Sequence, residues 1–154
     1  MKIPVKKIGR DFLFSGMYNP KRDTAYFNAI GQDYFPGLLG VQIIEVSDGR
    51  LVAEMPVERR LFAPNEFLHA GSIVTFADTI AGYSTIAHLP EGGKSFTTLE
   101  LKSNFTGAAR EGVLVGESSV EHMGRTTQVW RVVVRRKETG KQVAVFSCTQ
   151  LILY

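Results

Sequence analysis

The residues whose types and spacing bear on chemistry in this chain are His69, Ala70 and Gly71 in a row, and Asp78 nine positions after His69. From His69 to His88 the chain runs through Ala, Ile, Thr, Phe and Ser with no proline, and Asp78 carries its single charge. A helix is expected there, with His69 where it begins. The first N–H groups of a helix lack intrahelical acceptors and carry the positive end of its dipole. Such a turn can hold a developing oxyanion, and the small residues Ala70 and Gly71 leave its backbone open.

Placing residues at 100° intervals puts Ile73, Phe76, Ile80, Tyr83 and Ala87 on one stripe of that helix, the face expected to bury against other structure. Gly71, Thr75, Asp78, Gly82 and Thr85 form the opposite stripe. Small side chains let another surface approach closely, whether a ligand or a second subunit. A carboxylate in such surroundings shifts its pKa, finds a partner or faces a wet site. Two readings of Asp78 stand side by side: a solvated helix acid, and an acid enclosed at a site.

The positioning elements are legible in the same way. Tyr26, Phe27, Ile30 and Tyr34 have helical spacing, with Pro36-Gly37 as the stop, and a short amphipathic helix is expected. Residues 41–46 and 51–57 read as strands around an Asp48-Gly49 turn. After the long helix, Glu91 to Lys94 lead into four more extended runs: 95–105, 113–122, 127–136 and 142–153. In the third, Val129, Arg131, Val133 and Arg135 alternate with Trp130, Val132 and Val134. The plan is α+β, an antiparallel sheet wrapped around one central helix.

At 154 residues, 44% hydrophobic and 21% charged, the chain has the size and composition of one globular domain. Residues 1–24 read as an N-terminal arm and 25–154 as that domain. Eighteen Lys and Arg against fifteen Asp and Glu give +3, short of a nucleic-acid signature. The N-terminal stretch makes a poor secretory signal, and no run of about 18 apolar residues provides a membrane span. Cys148 is the only cysteine, which excludes an internal disulfide and fits a cytoplasmic location. His69, His88 and His122 have no metal-ligand spacing, and no metal is expected.

The segment Leu68-His69-Ala70-Gly71-Ser72, followed by Phe76-Ala77-Asp78-Thr79-Ile80-Ala81-Gly82, resembles the H-G-G-x(6)-D/E signature of hotdog-fold acyl-CoA thioesterases, most closely the phenylacetate-degradation type. The likeness continues through residues 97–105, Gly107 to Gly112 and Gly124-Arg125-Thr126, and covers about residues 38–153 in order. It implies a curved sheet around a long helix and hydrolysis of acyl-CoA thioesters. It also implies a homodimer whose site is shared between subunits, with dimers pairing into a homotetramer. Coenzyme A enters as part of the substrate, and no separate cofactor is implied.

Carried over residue by residue, the resemblance makes Asp78 the catalytic carboxylate, as general base on water or as nucleophile. Ala70 supplies the oxyanion-binding N–H, His69 and Gly71 shape its turn, and Thr98 holds the water or the carboxylate. Arg125 and Thr126, in the turn from His122 to Thr127, and Arg110 are the implied contacts to the nucleotide end of coenzyme A; a guanidinium suits phosphate because its planar fork donates paired hydrogen bonds. Two positions depart from the pattern. Ala70 replaces the first glycine, and Ala63 stands where relatives carry Asn or Gln, leaving Asn65 to serve from a shifted turn. The alternative function is a module that binds or senses acyl-CoA without cleaving it.

Overall fold

The computed structural model describes residues 17–154, and the expected arm falls mostly on residues 1–16, outside those described. Helix α1 (Thr24–Gly31) starts at Asp23, whose side chain accepts a hydrogen bond from the Tyr26 N–H. It is shorter than its apolar spacing predicts. Of the expected buried face only Phe27 is fully enclosed, stacked on the Tyr83 ring at 4.7 Å, while Tyr34 remains largely exposed. Pro36-Gly37 does not stop this helix but opens a second one, α2 (Phe35–Leu38). Proline has no N–H to lose in a first turn and its φ is already helical. Gly37 packs so tightly on the end of α1 that an added Cβ would lie 1.9 Å from the Gln32 carbonyl oxygen.

Strands β1 (Gln42–Ser47) and β2 (Arg50–Pro56) form the expected hairpin, with Gly49 at φ 72° in its two-residue turn. The chain then enters the long helix α3 (Ala70–Ala87) and returns as β3 (Ser95–Phe105), β4 (Val113–Met123), β5 (Thr127–Arg136) and β6 (Gln142–Leu153). Every recorded pairing is antiparallel, but the strand order is β1-β2-β4-β5-β6-β3. Strand β3 crosses to the far edge, and β4 takes its place beside β2.

The core lies between α3 and the inner face of this sheet. Ile73, Phe76, Ala77 and Ile80 meet Trp130, Val132 and Val134 of β5, and Leu51, Ala53 and Met55 of β2. The alternation read in β5 is observed, and it is the Trp130 face that is buried. Gly116 is what lets the helix sit down on β4: a Cβ there would come within 2.3 Å of Ile80 Cδ1 and 3.0 Å of the Phe76 ring. Gly116→Val is expected to cost about 1–3 kcal/mol by overpacking, read as a thermal midpoint several degrees lower.

The far end of α3 is fastened on three sides. His88 caps it; its Nδ1 lies 2.7 Å from the Ser84 carbonyl oxygen and its Nε2 accepts from the Gly49 N–H at 2.9 Å. Burial holds this imidazole below its ordinary pKa. Gln128 donates to the His88 carbonyl, and Arg22 donates to that of Ile86, placing a cation at the negative end of the dipole. His69 and His88 therefore stand at opposite ends of one helix, about 28 Å apart at 1.5 Å per residue. Among the described residues no group of His, Cys, Asp or Glu side chains converges as a metal site would require. No described helix is long and apolar enough to cross a membrane.

Candidate active site

The turn that starts α3 is built by its own side chains. His69 is the N-cap, in an extended conformation, and its Nδ1 accepts a hydrogen bond from the Gly71 N–H at 2.7 Å. That acceptor role requires a free Nδ1 lone pair, so a neutral His69 carries its proton on Nε2. An added Cβ at Gly71 would sit 2.9 Å from Nδ1. Glycine thus makes room for the histidine cap. With the Gly71 amide engaged, the N–H of Ala70, the first helical residue, is the one left facing outward without an intrahelical acceptor.

The preceding loop holds this turn in place. His69 N–H and Ser72 Oγ both donate to the Leu61 carbonyl, and Leu68 N–H donates to Ala109. Phe62 bridges to Leu68, and Glu66 takes a φ of 65° at the loop tip. Asn65 is exposed in this loop, and its Oδ1 accepts a hydrogen bond from the Phe67 N–H at 3.3 Å. Arg110 stacks its guanidinium over the Phe67 ring, 3.9 Å from the centroid. This brace was not visible from spacing, because Phe67 and Arg110 are 43 positions apart.

Asp78 lies two and a quarter turns further along α3 and is half-buried. Its Oδ1 is enclosed and has no hydrogen-bond partner among the described residues. Burial raises its pKa above the ordinary carboxylate value. Beneath it lies Cys148, a buried thiol pushed up to about 12, first by desolvation and next by the Asp78 charge. Gln150 Nε2 donates to Cys148 Sγ at 3.2 Å, and Thr98 Oγ1 donates to Gln150 Oε1 at 2.8 Å. The Thr98 proton is therefore committed to Gln150. Gln150 was not singled out from sequence; the available signal was a polar residue on the strand face that carries Phe146, Cys148 and Ile152.

The small-residue stripe is only partly open, which corrects the expectation of a continuous approach surface. Gly71 is exposed, but Gly82 and Thr85 are buried. Because β3 crosses to the far edge and the sheet curls around α3, Phe96 covers the C-terminal half, 2.9 Å from where a Gly82 Cβ would stand.

Arg110 and Arg125 are not brought together. They flank the two ends of the 11-residue β4, which alone spans about 33 Å at 3.3 Å per residue. Arg125 belongs to the β4–β5 turn; its carbonyl accepts from Tyr154 Oη at 2.5 Å, and its guanidinium lies 5.9 Å from the centre of that ring. Its neighbour Thr126 accepts from the Ile152 N–H through its carbonyl.

Residues 65–143 match the sequence profile of the thioesterase superfamily, a segment that holds both the helix-start turn and Asp78. The chain belongs to the thioesterase superfamily. A 1,4-dihydroxy-2-naphthoyl-CoA hydrolase of Escherichia coli is 34% identical over 110 residues, covering 70% of this chain and 78% of that protein. Among solved structures, a mutant of the thioesterase PA1618 from Pseudomonas aeruginosa is 26% identical with a TM-score of 0.83, covering 89% of this chain and 98% of that one. The PaaI protein of the E. coli phenylacetic acid degradation operon shares the fold, at 22% identity and a TM-score of 0.74, covering 82% and 90%. The hotdog architecture expected from the helix motif is the one observed.

Proposed function

We propose that this thioesterase hydrolyses acyl-CoA thioesters at a site completed by a second copy of the chain. The observation that carries the reading is Asp78, a half-buried carboxylate whose enclosed Oδ1 has no hydrogen-bond partner among the described residues and whose pKa burial holds above the ordinary value. A desolvated carboxylate is a stronger base than a solvated one. Asp78 removes a proton from water as the oxygen attacks the thioester carbon, and the carbonyl oxygen, now an anion, accepts a hydrogen bond from the Ala70 N–H. Collapse of the tetrahedral adduct breaks the C–S bond and expels the CoA thiolate, which takes up a proton. Direct attack by Asp78, followed by hydrolysis of the resulting anhydride, uses the same groups.

One chain cannot do this alone. Ala70 and Asp78 are eight residues apart, about 12 Å along the helix axis, whereas both must lie near 3 Å from the reacting group. A two-fold pair with α3 helices antiparallel brings Ala70 of each chain towards the Asp78 of the other. The free edge of β3 supports such pairing. It exposes Leu99, Leu101 and Phe105 along 11 residues, and a long apolar edge is an association surface unless something pairs with it. Arg125 and Thr126 are then the contacts to the nucleotide phosphates, while Arg110 acts on the loop through Phe67.

Subunit complementation tests the shared site. Asp78→Ala and Ala70→Pro chains, each inactive alone, are refolded together from denaturant at equal amounts. Each mixed dimer has one intact site, and random pairing returns about a quarter of wild-type thiol release. No recovery, with mixed dimers verified by mass, sinks the shared site. Tight binding of acyl-CoA by a wild type that releases no thiol would favour the binding module, which the Ala63 departure supports.

A further inference from the structure

Beside the start of α3 lies an open groove of about 450 Å³ between that helix, α2 and the 59–62 turn. It contains His69 and Gly71, so it is continuous with the turn that presents the Ala70 N–H. Most of its remaining wall is apolar, with Arg60, Ser72 and Thr75 as the polar exceptions. Phe35 and Leu38 of α2 face it and are 57% and 59% exposed, and Leu61 and Phe62 close the opposite side. Two exposed side chains of this size on a four-residue helix bury little in the free chain.

A thioester carbonyl bound to Ala70 lays one of its two arms across this groove. The pantetheine arm carries amides that need hydrogen-bond partners, and the groove has little to offer them. The hydroxyl protons of Ser72 and Thr75 are already donated to the carbonyls of Leu61 and Gly71. Arg60, the one cation on the rim, is paired with Glu58 at 2.6 Å. An acyl group ending in a carboxylate finds no uncompensated charge there. We propose that the groove receives the acyl arm and selects uncharged, hydrophobic acyl groups larger than acetyl, with Leu38 and Phe35 as the residues that set the preference. The inference rests on the thioesterase reading above.

The test measures thiol release from acetyl-, hexanoyl-, benzoyl- and succinyl-CoA by wild type, Leu38→Trp and Phe35→Ala, with the oligomeric mass of each determined by light scattering. Wild type is expected to prefer hexanoyl- or benzoyl-CoA over acetyl- and succinyl-CoA. Leu38→Trp fills the groove and is expected to lower the hexanoyl-to-acetyl ratio of kcat/KM about tenfold or more, with oligomeric mass retained. An unchanged ratio, or a wild-type preference for succinyl-CoA, overturns the inference. Equal loss on all substrates together with dissociation also overturns it, and makes this face a subunit contact. If wild type turns over none of the four, the thioesterase reading fails, and the groove is judged by binding: Leu38→Trp must then weaken hexanoyl-CoA relative to acetyl-CoA.

Discussion

Asp78→Asn is expected to lower thiol release by about 10²–10⁴, the range for losing a positioned base, while the chain still folds. The amide is nearly isosteric with the acid, so the surrounding packing is kept and only the proton acceptor is removed. Wild-type kcat/KM should rise with pH through the raised Asp78 pKa and then level off, since the base works only when ionised. Stability should move the other way. Between the ordinary carboxylate pKa and the raised folded value the native state binds more protons than the unfolded one, so stability falls as pH rises through that window. Above it the cost of the desolvated charge is fully present. Asp78→Asn removes that cost and is expected to raise the thermal midpoint at neutral pH, a gain in stability accompanying a loss of function. A variant that kept wild-type turnover would eliminate Asp78 as base or nucleophile.

Ala70→Pro is expected to cost about 10²–10³ in kcat by deleting the oxyanion donor alone. Proline is well tolerated at the first helical position, where the missing N–H closes no intrahelical bond. It also restricts the residue before it to extended conformations. His69 is already there, at φ −63° and ψ 138°. The Gly71-to-His69 cap and the helix itself should survive, so far-ultraviolet circular dichroism and the thermal midpoint serve as controls. Ala70→Gly, which keeps the N–H and restores the residue the family motif carries, should retain turnover. Equal activity of Ala70→Pro and wild type would place the oxyanion elsewhere.

The helix and its acid were legible because they are local. Eighteen residues without proline, one charge and a 3.6-residue period leave few alternatives, and the alternation in β5 puts Trp130, Val132 and Val134 on one face by the same logic. The cap at His69 was legible as a place, since a helix must begin somewhere after Pro64. The role of Gly71 was not. It depends on a clearance of 2.9 Å to an imidazole two positions back, which no pattern of residue types encodes.

What required the tertiary structure shares one physical cause: contacts between residues distant in sequence. The crossing of β3 to the far edge sets Phe96 over Gly82, and with Thr85 also buried the C-terminal part of the small-residue stripe is closed. The hydrogen bond from Thr98 to Gln150 links residues 52 positions apart, and the Arg110 brace reaches back to Phe67. By itself the sequence determined most of the elements, the central helix and the places of His69, Ala70 and Asp78 along it, because periodicity and capping are short-range. Only the three-dimensional arrangement decided which of those residues stay accessible and which are committed to partners within the chain, because those outcomes depend on contacts between distant segments.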